Sequence, residues 1–294
     1  MSETRDDGCG AGHRGFGGLL RSLLAGVPWR EKAEDVETRR LPAPRSGAVR
    51  IDNANGRTRV VGEDRADVEI VMRKVARAES AEAAEALARG IRLDAREDPG
   101  GLVLGFEIPG RWNRRGFVDV ELHVPRGLRV DVAAANGRVC VQGLRSAVRC
   151  KSSNGTVRIE DVIGDISVAT SNAKVSTLCT CGRLRARSSN GKIELEDHRG
   201  SVDASTSNGM IHCDLDELGA EGVVLATSNG RISLDLPDDV DGDVDLRVDN
   251  GTIRTQRDIA GAGSERSGGR LRGTLGRGGV PIRARVSNGS ISVR

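Results

Sequence analysis

The chain has 294 residues, of which 37% are hydrophobic, 30% charged and 2% aromatic, with three Phe, two Trp and no Tyr beside 39 Gly. This excludes a thick core built on rings, which dominate core energetics where they occur, while abundant Val, Ile, Leu and Ala exclude wholesale disorder. A net charge of +3, from 45 basic and 42 acidic residues, lacks the basic excess of a nucleic-acid-binding protein.

Residues 1–45 form an N-terminal segment of loop composition, apart from the stretch Phe16 to Val27. There Phe16, Leu19, Leu20, Leu23, Leu24 and Val27 make the apolar side of one short helix, followed by Trp29 and flanked by Arg14, Arg21 and Arg30. An interfacial membrane helix has this pattern, and so does a helix capping the end of a repeat stack. No run reaches the roughly 20 apolar residues of a membrane span. Arg21 interrupts the stretch, and it lacks a small-residue cleavage site, so no secretion signal is read. The expected location is therefore the cytoplasm, with peripheral contact at the inner membrane face through residues 14–30.

Residues 46–294 read as one repeat domain. Its first part, 46–135, is the less regular: Asp67 to Val75, Gly101 to Ile108 and Val118 to Val124 read as strands. Between the first two lies a short helix, Ser80 to Arg89, with Ser80 as N-cap and Gly90 as its stop.

Beyond residue 135 the chain repeats itself. Asn136, Asn154, Asn172, Asn190 and Asn208 follow one another at steps of 18, Asn229 and Asn250 at steps of 21, and Asn288 closes the series. Asn55-Gly56 is an early echo, and only Asn172 lacks a following glycine, having Ala173 instead. Around each Asn the residues alternate with period two, the mark of a strand with one buried face. Leu184, Ala186 and Ser188 precede Asn190, for example, and Ile193 and Leu195 follow it. Asn and Gly tolerate positive φ, so the pair turns the chain sharply. Asn-Gly is also the strongest short hairpin signal. The constant step decides for a β-solenoid of about 18–21-residue coils, because coils stacked about 4.8 Å apart must keep register. Both 21-residue steps lengthen only the second corner, at Asp214 to Gly222 and Asp235 to Gly242. Gln256 to Gly279 is a Gly/Ser/Arg-rich insertion that interrupts the last repeat.

Residues 46–294 resemble a bacterial family of unknown function, named for putative adhesins and also called the toastrack domain. The likeness rests on Val49-Arg50-Ile51-Asp52-Asn53-Ala54-Asn55-Gly56, the Ser80 to Arg89 helix and the Val-Pro-Arg-Gly step at Val124 to Gly127. Ser-Asn-Gly repeats ending in Ser287-Asn288-Gly289-Ser290-Ile291-Ser292-Val293 complete it. The resemblance implies a right-handed β-helix-like fold and, in some members, association with envelope-stress systems. It implies no chemistry.

Each constellation that suggests chemistry has a plainer reading. The stacked Asn amides suggest a ligand-binding ladder, but corner geometry requires them whether or not anything binds. Cys179 and Cys181, with His198 one coil on, suggest a soft metal site, yet they lack the usual Cys-x2-Cys spacing and a fourth donor. Cys150 and Cys213 fall on inward positions as small core residues, and the six cysteines are expected to be reduced. Asp235, Asp238, Asp239, Asp241, Asp243 and Asp245 suggest calcium but match neither an EF-hand loop nor a calcium β-roll nonapeptide. Arg254 to Arg285 carries eight arginines, the composition of a solvated loop. No nucleophile elbow, phosphate loop or zinc-protease helix is present, and sugar cleavage wants paired carboxylates with aromatic platforms. No catalytic residue, metal or cofactor is assigned. The expected function is a non-enzymatic interaction scaffold with a protein partner. An exported adhesin-like surface protein is the principal alternative, and a carbohydrate-active β-helix enzyme a further one.

Overall fold

The computed structural model describes residues 30–110, 115–261 and 269–294. The stretch Phe16 to Val27 lies outside them. Its first elements are β1 (Glu31–Pro42), β2 (Ala48–Asn55), β3 (Thr58–Glu63), β4 (Asp67–Ala78), α1 (Ala81–Gly90), β5 (Arg92–Asp98), β6 (Gly101–Glu107) and β7 (Arg115–Pro125). The repeats follow as β8 (Arg129–Asn136), β9 (Val139–Gln142), β10 (Val148–Ser152), β11 (Val157–Ile163), β12 (Ile166–Thr170) and β13 (Val175–Ser188). The last are β14 (Ile193–Asn208), β15 (Ile211–Asp235), β16 (Gly242–Thr255), β17 (Arg270–Leu275) and β18 (Pro281–Val293). The fold is all-β: the described strands form one open sheet of 18, bent back on itself at its corners.

Alternation puts small aliphatic residues on the inside of every coil, and parallel pairing stacks them. Val148 pairs with Ile166, Ile166 with Leu184, Leu184 with Val202 and Val202 with Val223, and all five are buried. On the facing wall Val139, Val157, Val175, Ile193 and Ile211 do the same. Each coil therefore closes against its neighbours with one methyl-rich layer, and such layers exclude water at about 25 cal/mol per Å² of apolar surface removed. Phe106, one of the few aromatics, packs only at the margin of this core.

The coils do not stack in chain order. The last strand, β18, lies between β15 and β16, parallel to both: Asn288 pairs with Asn229 on one side and with Asn250 on the other. The repeat at Asn250 is thus the end of the stack, and the final repeat is inserted beneath it. The insertion at Gln256 to Gly279 explains the route. It contains β17, which runs antiparallel to Gly242–Arg247 of β16 and buries Leu271 and Leu275, so part of this Gly-rich segment is structured. Its strand is short and its polar residues are arginines, which hid the alternation.

The N-terminal end also differs from its sequence reading. Residues 31–42, of loop composition, form β1, paired along its length with β4. Its alternation is of half-buried and exposed charges rather than of apolar and polar residues. Lys74, itself buried, reaches Glu37 at 2.5 Å and Asp35 at 3.4 Å, and Arg73 reaches Glu34 at 2.6 Å. Helix α1 packs on β1 and β4 through Ala84, Leu87 and Ala88. Ser80 caps it by accepting from the Ala83 N–H at 3.2 Å, and the chain leaves extended at Ile91.

Candidate functional site: the two edges of the stack

The Asn-Gly edge is built for stacking. Nine asparagines form one ladder in the order Asn55, Asn136, Asn154, Asn172, Asn190, Asn208, Asn229, Asn288, Asn250. Each Nδ2 donates to the Oδ1 of the coil before it, at 2.9–3.1 Å. All eight bonds point the same way, so each amide polarises the next. None of these asparagines has a positive φ; the ladder, rather than the turn, is what their side chains serve. The glycines serve close approach. A Cβ on Gly155, whose φ is not left-handed, would meet the Gly137 carbonyl oxygen at 1.6 Å. Behind the corner stands a column of hydroxyls, in which Ser152 accepts from the Gly155 N–H at 3.3 Å and Thr206 and Thr227 each donate to a glycine carbonyl at 3.2 Å.

The second edge has its own column. Gly143, Asp161, Cys179 and Asp197 all have left-handed φ, between 50° and 74°, and they recur at the same step of 18. Left-handed backbone is uncommon outside Gly, Asn and Asp, so Cys179 is the costly member. Its exposed thiol lies 3.7 Å from an Asp197 oxygen. Partial desolvation, with Asp197 and Asp161 nearby, pushes that thiol up and keeps it protonated. Arg145 clamps Asp161 at 2.9 and 3.1 Å. After Asp197 the regular register ends: shifts fall between Leu195 and Val202, where the longer corner Asp214 to Gly222 is accommodated, while Asn208 still pairs with Asn229.

A family model described as Toastrack DUF4097 matches residues 48–294. The chain belongs to the Toastrack family. Among solved structures, a putative cell adhesion protein from Clostridium sporogenes is 8% identical with a TM-score of 0.30, over 90% of this chain and 99% of that one. A putative adhesin from Bacteroides fragilis is 13% identical with a TM-score of 0.49, over 88% of this chain and 97% of that one. No curated protein matches the chain.

Within this Toastrack stack the candidate metal residues are not brought together. His198 points inward and is fully buried, its Nδ1 2.9 Å from the Thr180 hydroxyl and its Nε2 without a hydrogen-bond partner. Cys179 is exposed on the outer side of the same wall. Among the described residues no three His, Cys, Asp or Glu side chains converge as metal ligands would. Cys150 and Cys213 are buried, and burial pushes the Cys150 thiol up to about 12 and the Cys213 thiol up further.

Two features that read separately in the sequence prove to be partners. Asp245 binds Arg270 at 2.8 Å and Arg272 at 3.4 Å, Asp241 binds Arg277 at 2.8 Å, and Asp238 binds Arg257 at 3.3 Å. Three members of the acidic run, Asp238, Asp241 and Asp245, are therefore paired with the Arg-rich insertion, which ties the last second-corner loops to the stack. Sequence reasoning missed the left-handed column, whose signal was Gly or Asp at the repeat step. It missed the acid–base pairing because both members lie in the least regular part of the chain.

Proposed function

We infer that the chain is a non-enzymatic display scaffold whose second-corner loops meet a protein partner. The observation that carries this reading is the confinement of length variation to one edge. Asp214 to Gly222, Asp235 to Gly242 and Gln256 to Gly279 all open there, while the asparagine ladder runs unbroken on the other. Insertions on one face of a repeat array are where such arrays vary for binding. A filled aliphatic interior and buried, protonated thiols support the non-enzymatic part. No helix among the described residues is long and apolar enough to cross a membrane, and we place the protein in the bacterial cytoplasm, at the inner membrane face. Toastrack membership supports right-handed coiling and a role in envelope-stress signalling.

Affinity capture from the native host tests the reading. Full chain should retain a partner that is lost when Asp214 to Gly222 is shortened to an 18-residue coil, with melting unchanged. A partner held equally by both proteins, or recovery of intact protein outside the cell, overturns it. Turnover across a glycan panel would overturn the non-enzymatic assignment.

A further inference from the structure

The insertion of β18 between β15 and β16 creates a feature that no single repeat contains. On the outer wall after the Asn-Gly edge, three successive coils present short hydroxyl side chains. Ser233 of β15 pairs with Ser292 of β18, and Thr252 of β16 pairs with Ser290. Elsewhere on this wall short groups at the equivalent positions are interrupted by longer ones: Cys140 pairs with Arg158, Arg158 with Ser176 and Ser176 with Glu194. The short run leaves a hollow of about 490 Å³, floored by Ser233, Ser290 and Ser292, within the range of small-molecule sites of about 300–1,000 Å³.

Three arginines, Arg231, Arg254 and Arg294, stand around it, with His212 at one side. Among the described residues Arg231 and Arg254 have no carboxylate partner, unlike Arg270, Arg277 and Arg285 on neighbouring parts of the stack. From strand spacing and rise, their Cα atoms are separated by two coils and two residues, about 12 Å, so both guanidinium forks can reach a group lying on Ser292. Asp235 lies behind the rim, 3.6 Å from His212 Nδ1 and 3.8 Å from Arg294 Nε. Ser233 is only 9% exposed and faces the hollow, yet its hydroxyl has no hydrogen-bond partner among the described residues. That hydroxyl opens on the hollow and is free to donate to or accept from a group that enters it.

We propose that this hollow binds an acidic sugar: a polyhydroxylated ligand bearing a carboxylate, phosphate or sulfate. Guanidinium forks match such oxyanions in two-point contact, and the serine floor matches hydroxyls. The wall is polar, with Met210 as its main apolar neighbour, which disfavours a hydrophobic ligand. The site lies on the wall, meets the second-corner loops only at Asp235, and stands whether or not those loops bind a protein.

Titration calorimetry on the full chain tests it, with glucuronate, glucose 6-phosphate, glucose and inorganic phosphate as separate probes. Glucuronate or glucose 6-phosphate should bind at least tenfold more tightly than glucose and than inorganic phosphate. The double variant R231S/R254S should weaken that binding tenfold or more, and Ser292→Leu, which fills the floor from the solvent side, should abolish it. R149S/K151S, on the basic patch beside Arg50 on the other wall, should leave it within twofold; melting curves establish that all variants fold. The proposal fails if neither acidic sugar outbinds glucose, if inorganic phosphate binds as tightly as glucose 6-phosphate, or if the distant double variant weakens binding as much as R231S/R254S does.

Discussion

The two edges of the stack solve the same problem, turning a chain between facing walls, with different chemistry. At the Asn-Gly edge every coil is locked to the next through an exposed amide and, except at Ala173, a glycine that approaches the neighbouring coil closely. At the second edge a left-handed residue makes the bend within each coil, and that column ends after Asp197, where the loops lengthen. The second edge is also held between coils while its step is 18, by Arg145 on Asp161 and by glycines such as Gly200, whose Cβ would meet the Gly182 carbonyl oxygen at 2.0 Å. Those contacts stop where the corner lengthens, whereas the asparagine ladder runs on to Asn250. That is why variation gathers at the second edge, where the proposed partner would bind.

The contrast is broken most severely by insertion. One residue added between Ser205 and Gly209 shifts everything beyond it by one place, and a one-residue slip turns buried side chains outward. We expect loss of the cooperative melt, whereas one residue added beside Leu218 should cost about 1 kcal/mol or less. Comparable melting of the two variants would remove the distinction between the edges. Gly289→Val comes next. Gly289 has a φ of 145°, and a Cβ there would meet the Gly230 carbonyl oxygen at 1.7 Å in the strand that joins two coils. A loss of about 3 kcal/mol or more is expected in urea unfolding, from strain and displaced pairing. A loss below about 1 kcal/mol would mean that the coils slide apart freely at β18.

How far the sequence disclosed this architecture depended on whether the deciding contact lay within the repeat. Alternation around Asn190 or Asn208 depends only on which side of a strand faces the core, so the inward Leu184, Val202, Ile193 and Ile211 were legible one coil at a time. The position of β18 was not. Ser287-Asn288-Gly289 fits any slot in the stack equally well, and what fixes it beneath Asn250 is β17 returning antiparallel on β16, a pairing carried by arginines. Strand β1 was hidden for a related reason. Its order comes from backbone pairing and from Lys74, Arg73 and Arg40 meeting carboxylates, and ion pairs leave no hydrophobic period. The proposed sugar site inherits the same obscurity, since Arg231, Ser292 and Arg254 become neighbours only once the swapped order is known.

His198 offers a subtler test of the second edge, where it lines the interior beside the left-handed column. Burial, partly offset by backbone contacts, holds its imidazole below the ordinary value, so the folded protein keeps it neutral. The unfolded chain binds that proton first as pH falls below about 6.5. Stability should therefore decline from about pH 6.5 toward the lower folded value, and stay level above about pH 7. Glu37, held below its ordinary range chiefly by Lys74, releases its own contribution only at more acid pH. Unfolding in urea at pH 7.5 and 5.5 should show a drop for the native chain that His198→Leu lacks. An equal drop in both proteins would assign the effect to exposed groups.

The smallest expected effect concerns Cys179 alone. A left-handed conformation costs a side chain with a Cβ about 1 kcal/mol or more, and Gly143 holds the equivalent place two coils earlier with a φ of 74°. Cys179→Gly relieves that cost but adds freedom to the unfolded chain of about 0.5–1 kcal/mol, so melting should rise slightly or stay the same. Cys179→Val puts a β-branched side chain in the same conformation and should lose about 1–3 kcal/mol. Cys181→Val, two residues on and outside the left-handed column, supplies the control and should be close to neutral. If the two valine variants melt alike, the bend at this edge does not reside in the left-handed residue, and the second corner owes its shape to the ion pairs and loops around it.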